Sequence, residues 1–527
     1  MVSMNMCDEY GANVRNRIPS PAKPCQCSWG GIDDMASVKD GKRVLSAVWK
    51  ESIPCTKHLN AMGHGLGNAS SLFFSSVELF LDVKAIEGYT NDDIAHSSGE
   101  INGLMALGER MAENWSSKNP YMTQVTENYI LNGEGSRKET RHVVFDLGDS
   151  GLDYKVGDAL GVLAENPPHI VDEIIEIQQW DADMTVTTHN GDRSLYEALK
   201  KDFEVHMANK KFVHSLAEKV VSTGMKISMN IVSRSRNGEN WETSEDAAGP
   251  LTLKPSMPSD DPSAQVEAIL ADAKAIEDYL WTRDYVDIMR EFDVKYTPEE
   301  FMELVDRLKP RLYSIASSHD AHPGFVELTV GIVRFEYNNR PRGGLCTLFM
   351  ADEIDTTGNP IGVFMSPTRS FILPDDKDID IIMVGPGTGI APFRAFMEQR
   401  VVDGGAGKNW LFFGDQSEKT EYYYKDQIES WIDEGHLYRF TTAWSRDQEE
   451  KIYVQHRLKE HGAEIWEWFE RGAYFYICGD KTYMAKDVHR ALISIAMDHG
   501  GMSEADATHF IEKTMMKEEK RYLRDVY

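Results

Sequence analysis

The sequence finishes with a carboxylate two residues before an aromatic ring, in the segment Asp525-Val526-Tyr527. Chain ends usually carry polar residues and fray. A terminal tyrosine ring gains stability only where it lies against a flat surface. We therefore expect Tyr527 to cover a planar cofactor, and a flavin fits that description.

A glycine-rich segment at residues 385–393, GPGTGIAPF, could bind a phosphate. It lies between a predicted buried strand and a predicted helix. Glycines there let backbone N–H groups approach a pyrophosphate, and the positive end of the helix favours its charge. Its third glycine comes one position earlier than in the GxGxxG pattern, so a tight strand–helix turn without a ligand remains the alternative.

Basic and hydroxyl side chains follow the third predicted strand of the same region, at residues 445–446 (SR) and 451–455 (KIYVQ). Sites for NAD usually carry an acidic residue that binds the ribose 2′-hydroxyl. An arginine can instead bind a 2′-phosphate through two hydrogen bonds. The segment therefore favours NADPH over NADH. The alternative is a solvated surface, since Asp447, Glu449 and Glu450 balance the local charge.

Two shorter segments could bind the other cofactor. In Arg311-Leu312-Tyr313-Ser314, strand alternation places Arg311 and Tyr313 on one face, where the ring could stack and the guanidinium could reach a phosphate. Residues 343–347, GGLCT, could form a second backbone cradle that opens a short helix. An ordinary strand and turn would explain either segment alone.

Elements that could position these residues begin near residue 121. Residues 125–131, 142–147, 158–163, 311–316, 325–333 and 361–365 are rich in strand formers. Between them, residues 166–177, 264–292 and the capping box at 297–300 predict helices, and residues 236–263 a surface loop. The pattern predicts an antiparallel β-barrel with a helical insertion at about 165–310.

From residue 378 the pattern changes to strands buried on both faces. Residues 381–384, 410–413, 438–444 and 474–478 are apolar runs separated by helical or loop segments. This predicts a doubly wound parallel-sheet domain. The fold class is thus α/β plus β-barrel, with an N-terminal region at 1–118, a barrel domain at 119–375 and an α/β domain at 376–527.

Composition excludes several classes of function. The net charge of −29, from 56 basic and 85 acidic residues, would repel nucleic acid and anionic membranes. We find no run of about 18 apolar residues and no signal-peptide core, so we expect no membrane span and a cytoplasmic protein. Six cysteines in 527 residues do not form a disulfide framework.

Residues 1–118 have no predicted role and are expected to be partly disordered. Cys7, Cys25, Cys27 and Cys55 lie there, but their spacing matches no usual zinc pattern. We expect free thiols and no metal site. A glycine-rich stretch at residues 63–67 follows no buried strand, so it predicts a flexible loop rather than a phosphate site.

Together and in this order, these segments resemble the FAD- and NADPH-binding module of the ferredoxin–NADP reductase superfamily, in its diflavin-reductase branch. Within that branch they are similar to the flavoprotein components of NADPH-dependent sulfite reductases. The resemblance covers about residues 120–527 and rests on segments 158–162, 311–318, 385–396, 408–414, 444–455, 478–480 and 525–527.

The resemblance implies two sets of cofactor-binding residues. FAD would be held by Arg311, Leu312, Tyr313, Ser314, Thr329, Val330, Gly331, Gly343, Gly344, Leu345, Cys346 and Tyr527. NADPH would be held by Gly387, Thr388, Ser445, Arg446, Lys451, Ile452, Tyr453, Val454, Gln455 and Asp487.

The resemblance also implies a catalytic group of Ser314, Cys478, Asp525 and Tyr527, with the Tyr527 ring on the flavin face that nicotinamide must reach. Ser314 can hydrogen-bond flavin N5, and Asp525 can stabilise positive charge developing on nicotinamide. We interpret Cys478 as a positioning contact, because the flavin carries the redox chemistry. A structural buried cysteine is the alternative.

The sequence departs from the diflavin pattern before residue 119. Residues 1–118 are too short for a flavodoxin-like domain and show no Ser/Thr-rich phosphate loop after a first strand. We therefore expect FAD and NADPH as cofactors and no bound FMN.

The resulting prediction is an NADPH-dependent FAD oxidoreductase that serves assimilatory sulfite reduction, and so cysteine biosynthesis. By resemblance its partner is a sulfite reductase hemoprotein, or a small carrier such as flavodoxin or ferredoxin. Two alternatives stay open: a ferredoxin-, flavodoxin- or cytochrome-reductase-like enzyme with another acceptor, and a non-catalytic assembly subunit.

Overall fold

The computed structural model describes residues 115–223, 261–281, 283–337, 340–354 and 359–527. The chain divides into two units, Met1–Phe80 and Leu81–Tyr527, and every described residue belongs to the second. The predictions for the cysteines and the glycine loop before residue 115 lie outside the described residues. Most of the loop predicted at residues 236–263 does so as well.

Six strands form an antiparallel sheet in the order β6-β3-β10-β1-β2-β7. They are β1 Tyr121–Ile130, β2 Glu139–Asp146, β3 Ala159–Leu163, β6 Arg311–Ser314, β7 Phe325–Ile332 and β10 Ile361–Ser366. Immediately after β6, Ile315 forms one antiparallel bridge with Leu328 of β7, so the two edge strands meet at this point. This confirms that the segments rich in strand formers pair as an antiparallel sheet.

The segment between β3 and β6 is largely helical, and it is packed around its own apolar core. Its elements are helices Pro168–Gln178, Leu195–Lys201, Lys210–Thr223, Pro262–Ile269, Ala273–Leu280, Tyr285–Phe292 and Pro298–Leu304, with hairpin strands β4 Thr185–Thr188 and β5 Gly191–Ser194. The single helix predicted over residues 264–292 is wrong. Asp272 and Asp284 each accept a backbone N–H as N-caps, so a new helix begins at each.

A second hairpin, β8 Arg334–Tyr337 and β9 Arg340–Gly343, follows β7. It leads into helix Leu345–Leu348 and a π-helical turn at Phe349–Glu353. The short helix predicted after Gly343-Gly344 is confirmed.

Five parallel strands form the second sheet in the order β13-β12-β11-β14-β15. They are β11 Ile381–Val384, β12 Asn409–Asp415, β13 Arg439–Trp444, β14 Tyr474–Gly479 and β15 Tyr522–Val526. The strand order reverses at β11, between β12 and β14, and the carboxyl ends of the strands beside such a reversal are where this class of sheet binds ligands.

Helices cover both faces of the parallel sheet. Ile381 and Met383 of β11 pack into one core, and Ile382 and Val384 pack into another. The helical elements are Gly387–Ile390, Ala391–Asp403, Glu418–Glu421, Lys425–Asp433, Val454–Glu460, Gly462–Glu470, Met484–Asp498, Glu504–His509 and Phe510–Glu518. The predicted parallel sheet, buried on both faces, is confirmed.

Candidate active site

The glycine-rich turn lies at the carboxyl end of β11, beside the reversal of strand order. It forms a 3-10 turn, Gly387–Ile390, that runs directly into helix Ala391–Asp403. Gly387 has a φ of +58°, which favours glycine, and no side chain caps either helical segment. A helix N-terminus without a side-chain cap or an acidic first turn suits a pyrophosphate.

Gly389 brings the turn close to the neighbouring strand. A Cβ atom on Gly389 would lie 2.2 Å from the backbone oxygen of Cys478 at the end of β14. The absence of a side chain therefore lets the turn pack against the strand that carries Cys478.

Three residues that are distant in sequence meet beside this turn. The Ser314 hydroxyl donates to Oδ2 of Asp525 over 2.6 Å, and Sγ of Cys478 lies 3.8 Å from the same oxygen. Cys478 and Asp525 are register partners in the β14–β15 ladder, and Ser314 ends β6 of the other sheet. The group therefore forms where the two sheets face each other.

Cys478 is buried, and its surroundings keep the thiol protonated. Burial, followed by the charge of Asp525, raises its pKa well above the usual value. Since a protonated thiol is a weak donor and a poor nucleophile, this environment agrees with the interpretation of Cys478 as a positioning contact.

Tyr527 is held over the same edge of the sheet. Its backbone N–H donates to Gly479, and its carbonyl accepts from Lys481, over 3.2 and 3.0 Å. Its hydroxyl lies 2.9 Å from Oγ1 of Thr388 in the glycine turn. The residue as a whole is 63% exposed.

The predicted FAD residues on β6 and after β9 are divided between surface and core. Nη2 of Arg311 bonds both carboxylate oxygens of Glu204, at 3.1 and 3.0 Å, and Leu312 is exposed. Cys346 is buried, and burial raises its pKa to about 11. Arg311 would have to leave or share Glu204 to bind a phosphate.

Several of the residues predicted to bind FAD could contribute backbone groups to the site rather than side chains. Val330 and Leu345 pack into the core of the antiparallel sheet. A Cβ atom on Gly343 would lie 2.2 Å from the Val333 carbonyl oxygen, and one on Gly344 would lie 2.7 Å from Oγ1 of Thr347. These glycines are required by the packing of the turn itself.

The residues predicted for NADPH in segment 445–455 lie from the end of β13 to the first turn of helix Val454–Glu460. Arg446 and Lys451 are exposed, while Ile452, Tyr453 and Gln455 are half-buried and Val454 packs into the core. Ser445 Oγ donates to the Asp415 carbonyl over 3.2 Å. Nε2 of Gln455 lies 3.4 Å from Asp487, so this pair of predicted residues is adjacent.

Sequence reasoning missed a buried ionic cluster between the two sheets. Arg394 pairs with Glu327 of β7 and with Glu398 one turn along its own helix. The signal was available, because Arg394 and Glu398 are charged residues four positions apart in the otherwise apolar first part of the helix (APFRAFME). It also missed the ion pair between Lys138, which precedes β2, and Asp415, which ends β12.

Among the described residues, one group of possible metal ligands has atoms within 4.8 Å of one another: His322, Glu327 and Glu398. The Arg394 guanidinium already supplies positive charge to both carboxylates. We therefore interpret the group as an ion-pair cluster. Within the described part of the chain, no helix combines the length and apolar character that crossing a membrane requires.

Two family models match the chain. An FAD binding domain matches residues 113–221 and 253–349, and an oxidoreductase NAD-binding domain matches residues 383–490. The NAD-binding match begins in β11 and includes the glycine turn and Cys478. Both cofactor classes expected from the sequence are supported.

Curated relatives are similar over most of the chain. The sulfite reductase [NADPH] flavoprotein alpha-component of Zymomonas mobilis is 39% identical over 414 residues, which is 78% of this chain and 61% of that protein. The proteins of the same name from Bacillus subtilis and Escherichia coli O9:H4 are each 38% identical over 80% of this chain and 63% of their own length. The chain thus spans less than two thirds of these relatives.

Proposed function

We propose that this chain, which carries the paired FAD-binding and NAD-binding domains of the ferredoxin–NADP reductase superfamily, is an NADPH-dependent flavoprotein reductase. The observation that supports this most directly is the meeting of Ser314, Cys478 and Asp525 beside the glycine turn. A hydroxyl, a protonated thiol and a carboxylate are arranged there around one point between the two sheets. Such a fixed polar group can stabilise charge that develops as a hydride moves between two rings.

Bound FAD would supply an acceptor for hydride from NADPH and a donor of single electrons. The glycine turn would hold the NADPH pyrophosphate, and Arg446 and Lys451 would hold its 2′-phosphate. The Asp525 carboxylate orients the Ser314 hydroxyl by accepting a hydrogen bond from it, which leaves the lone pairs of the Ser314 oxygen available to accept another. Asp525 itself provides the negative charge that favours a cationic nicotinamide.

Tyr527 is proposed to cover the flavin until nicotinamide arrives. Its backbone makes two hydrogen bonds, with Gly479 and Lys481, and its side-chain hydroxyl makes one with Oγ1 of Thr388 in the glycine turn. Since this side-chain link is a single hydrogen bond at an exposed position, the ring can move aside at small cost. Its movement would gate hydride transfer.

For the acceptor we propose the hemoprotein component of a sulfite reductase. The names of the relatives support this choice, as does their similarity over about four fifths of the chain. A flavodoxin or ferredoxin is the second candidate acceptor. The net charge of −29 favours a partner with a basic docking surface in either case.

We place the reaction in the reducing cytoplasm, because the described cysteines Cys346 and Cys478 are unpaired.

The proposal also includes the closure of the antiparallel sheet and the bounds of the two domains. We infer that the antiparallel sheet closes into a barrel, since Ala316 N–H donates to the Glu327 carbonyl over 2.7 Å next to the Ile315–Leu328 bridge. We place the FAD domain at residues 119–375, with its helical insertion at about 165–310, and the NADP domain at 376–527.

Anaerobic titration with NADPH, combined with flavin analysis, tests the proposed function. We expect a yellow protein that contains FAD and that NADPH bleaches. Reoxidation by a sulfite reductase hemoprotein, compared with reoxidation by flavodoxin, then separates the two acceptors. A chain that stays colourless after FAD supplementation would contradict the proposal and support a non-catalytic assembly subunit.

A further inference from the structure

The Arg394 guanidinium lies buried between the two sheets, with a partner at each of its nitrogen atoms. Nη1 bonds the Glu327 carboxylate and, over 2.7 Å, the Ala316 carbonyl. Nη2 pairs with Glu398 over 2.9 Å, and Nε donates to Gln427 over 2.7 Å. A buried cation with this many partners fixes its neighbours in one arrangement, because each partner would be left unsatisfied in another.

One face of β7 carries several of the contacts that join the two sheets. Strand alternation places Glu327, Thr329 and Gly331 on the same side of the sheet. Glu327 binds Arg394, and the Thr329 hydroxyl lies 2.6 Å from the hydroxyl of Tyr424. The three residues therefore form a docking strip along β7.

The third residue of the strip meets the glycine turn itself. A Cβ atom on Gly331 would lie 3.2 Å from Cγ2 of Thr388. Thr388 also lies 2.9 Å from the Tyr527 hydroxyl, through its own Oγ1. The position of the turn relative to β7 therefore sets the position of the hydrogen-bond partner of Tyr527.

We propose that Arg394 is a positioning residue for hydride transfer, which acts by holding the glycine turn against the docking strip of β7. Arg394 lies one helical turn after the 3-10 turn Gly387–Ile390, so a shift of its guanidinium moves that turn. The inference rests on the proposed function, because β7 and the turn are the proposed sites of FAD and NADPH. The inference concerns the distance between bound FAD and bound NADPH, and it does not concern the chemistry of either cofactor.

Arg394→Lys tests this inference, because lysine keeps the charge but cannot bind four partners through a planar fork. Arg400→Lys is the matched control, since Arg400 lies in the same helix and bonds only to backbone carbonyls, of Ile379 and Gly407. Gly331→Ala is the second test. Its methyl group would lie 3.2 Å from Cγ2 of Thr388, so Thr388 must give by a few tenths of an ångström, whereas no atom of the ionic cluster lies within 4 Å of the methyl group.

The first measurement is anaerobic stopped-flow reduction of the bound flavin by NADPH and by NADPH deuterated at the transferred hydrogen. We expect Arg394→Lys and Gly331→Ala to slow hydride transfer by about tenfold or more, because small displacements of reacting groups are costly. The flavin content and the KM for NADPH should change less than the rate. A wild-type rate and isotope effect in Arg394→Lys would overturn the inference.

The second measurement does not depend on activity. Hydrogen–deuterium exchange is compared for peptides covering residues 325–332 and 385–394, with and without FAD. We expect faster exchange in both peptides of Arg394→Lys and no change in Arg400→Lys. Unchanged exchange in both peptides would overturn the inference even if the wild-type chain bound no flavin, whereas the proposed function would fail on flavin content alone.

Discussion

Asp525 is the side chain on which the proposed chemistry depends most directly. It accepts hydrogen bonds from Ser314 and Cys478, and it keeps the pKa of Cys478 high through its charge, after the larger effect of burial. One carboxylate thus orients two donors at the junction of the sheets. Sequence patterns alone could suggest each residue but not that a single oxygen, Oδ2, connects them.

Asp525→Asn should slow flavin reduction by about 10²–10³-fold, a loss typical of removing one fixed charge-stabilising group. FAD should still bind, because the pairing of β15 with β14 uses backbone groups only. Stopped-flow reduction by NADPH measures the effect. The same substitution at the exposed residue Asp498 serves as the control, and a wild-type rate in Asp525→Asn would refute the assignment.

Tyr527→Ala should reduce discrimination between NADPH and NADH. Without the ring, nicotinamide binding no longer has to displace a side chain, so binding relies less on the 2′-phosphate contacts. Steady-state kinetics with both cofactors give the ratio of kcat/KM values. Tyr483→Ala, at another exposed tyrosine of the same domain, should leave that ratio unchanged. An unaltered ratio in Tyr527→Ala would mean that the ring does not control entry.

At the scale of elements, strand β15 determines where Asp525 and Tyr527 lie. The terminal segment looks irregular in sequence, because Arg524 and Asp525 interrupt its apolar residues. In the structure it is the edge strand of the parallel sheet, paired on one side only. An edge strand does not require an apolar run, so periodicity could not reveal it.

The elements that the sequence predicts best are those whose burial produces a recognisable pattern of apolar residues. The run Ile381–Val384 is buried on both faces and was recognisable as a central strand. The helix boundaries at Asp272 and Asp284 were not, because an aspartate within a helical pattern can be either a surface residue or a cap. The pairing of Arg394 with Glu327 depends on two distant elements meeting, which no local pattern encodes.

The hairpin β8–β9 is joined to the helical insertion by buried ion pairs. Arg342 lies 2.7 Å from Asp287 and 3.2 Å from Asp284, at the start of helix Tyr285–Phe292. Arg342→Met should lower the free energy of unfolding by about 1–3 kcal/mol, because it removes one of two arginines that pair with these buried carboxylates and leaves Arg340 as the remaining partner. Urea unfolding followed by circular dichroism measures this loss.

Arg334→Met is the matched control within the same hairpin. Arg334 pairs with Glu139 and Asp352, but its side chain is 41% exposed. The expected loss is below about 1 kcal/mol, since exposed ion pairs are screened by water. Equal losses for the two variants would show that burial of the Arg342 pairs does not determine their contribution.

At the scale of the whole described unit, two histidines of the ionic cluster respond to pH in opposite directions. His142 of β2 is buried near Glu327, Tyr424 and Arg394; burial, followed by the Arg394 charge, lowers its pKa to about 3. His322 faces Glu327, Glu398 and Arg394; its hydrogen bond to Glu398 is the largest cause of a raised pKa. The interface between the sheets therefore links stability to proton binding at both sites.

His142 should make the protein less stable as the pH falls below the ordinary histidine pKa of 6.5. Below that value the unfolded chain binds a proton at this residue and the folded chain does not. The loss is about 1.4 kcal/mol per pH unit, or about 2 kcal/mol between pH 6.5 and pH 5. In His142→Gln, the acid side of the stability profile should be flatter by that amount, as measured by urea unfolding at each pH.

His322 should affect the alkaline side of the profile of stability against pH. Its pKa in the folded state is raised, so the stability it contributes is fully present below pH 6.5 and is lost as the pH rises through the raised pKa. His322→Gln should therefore flatten the alkaline side of the stability profile and leave the acid side intact. If His322→Gln and His142→Gln flattened the same side, the two residues could not have the opposite protonation states that their neighbours impose. In that case the charge balance around Arg394 would have to differ from the one described.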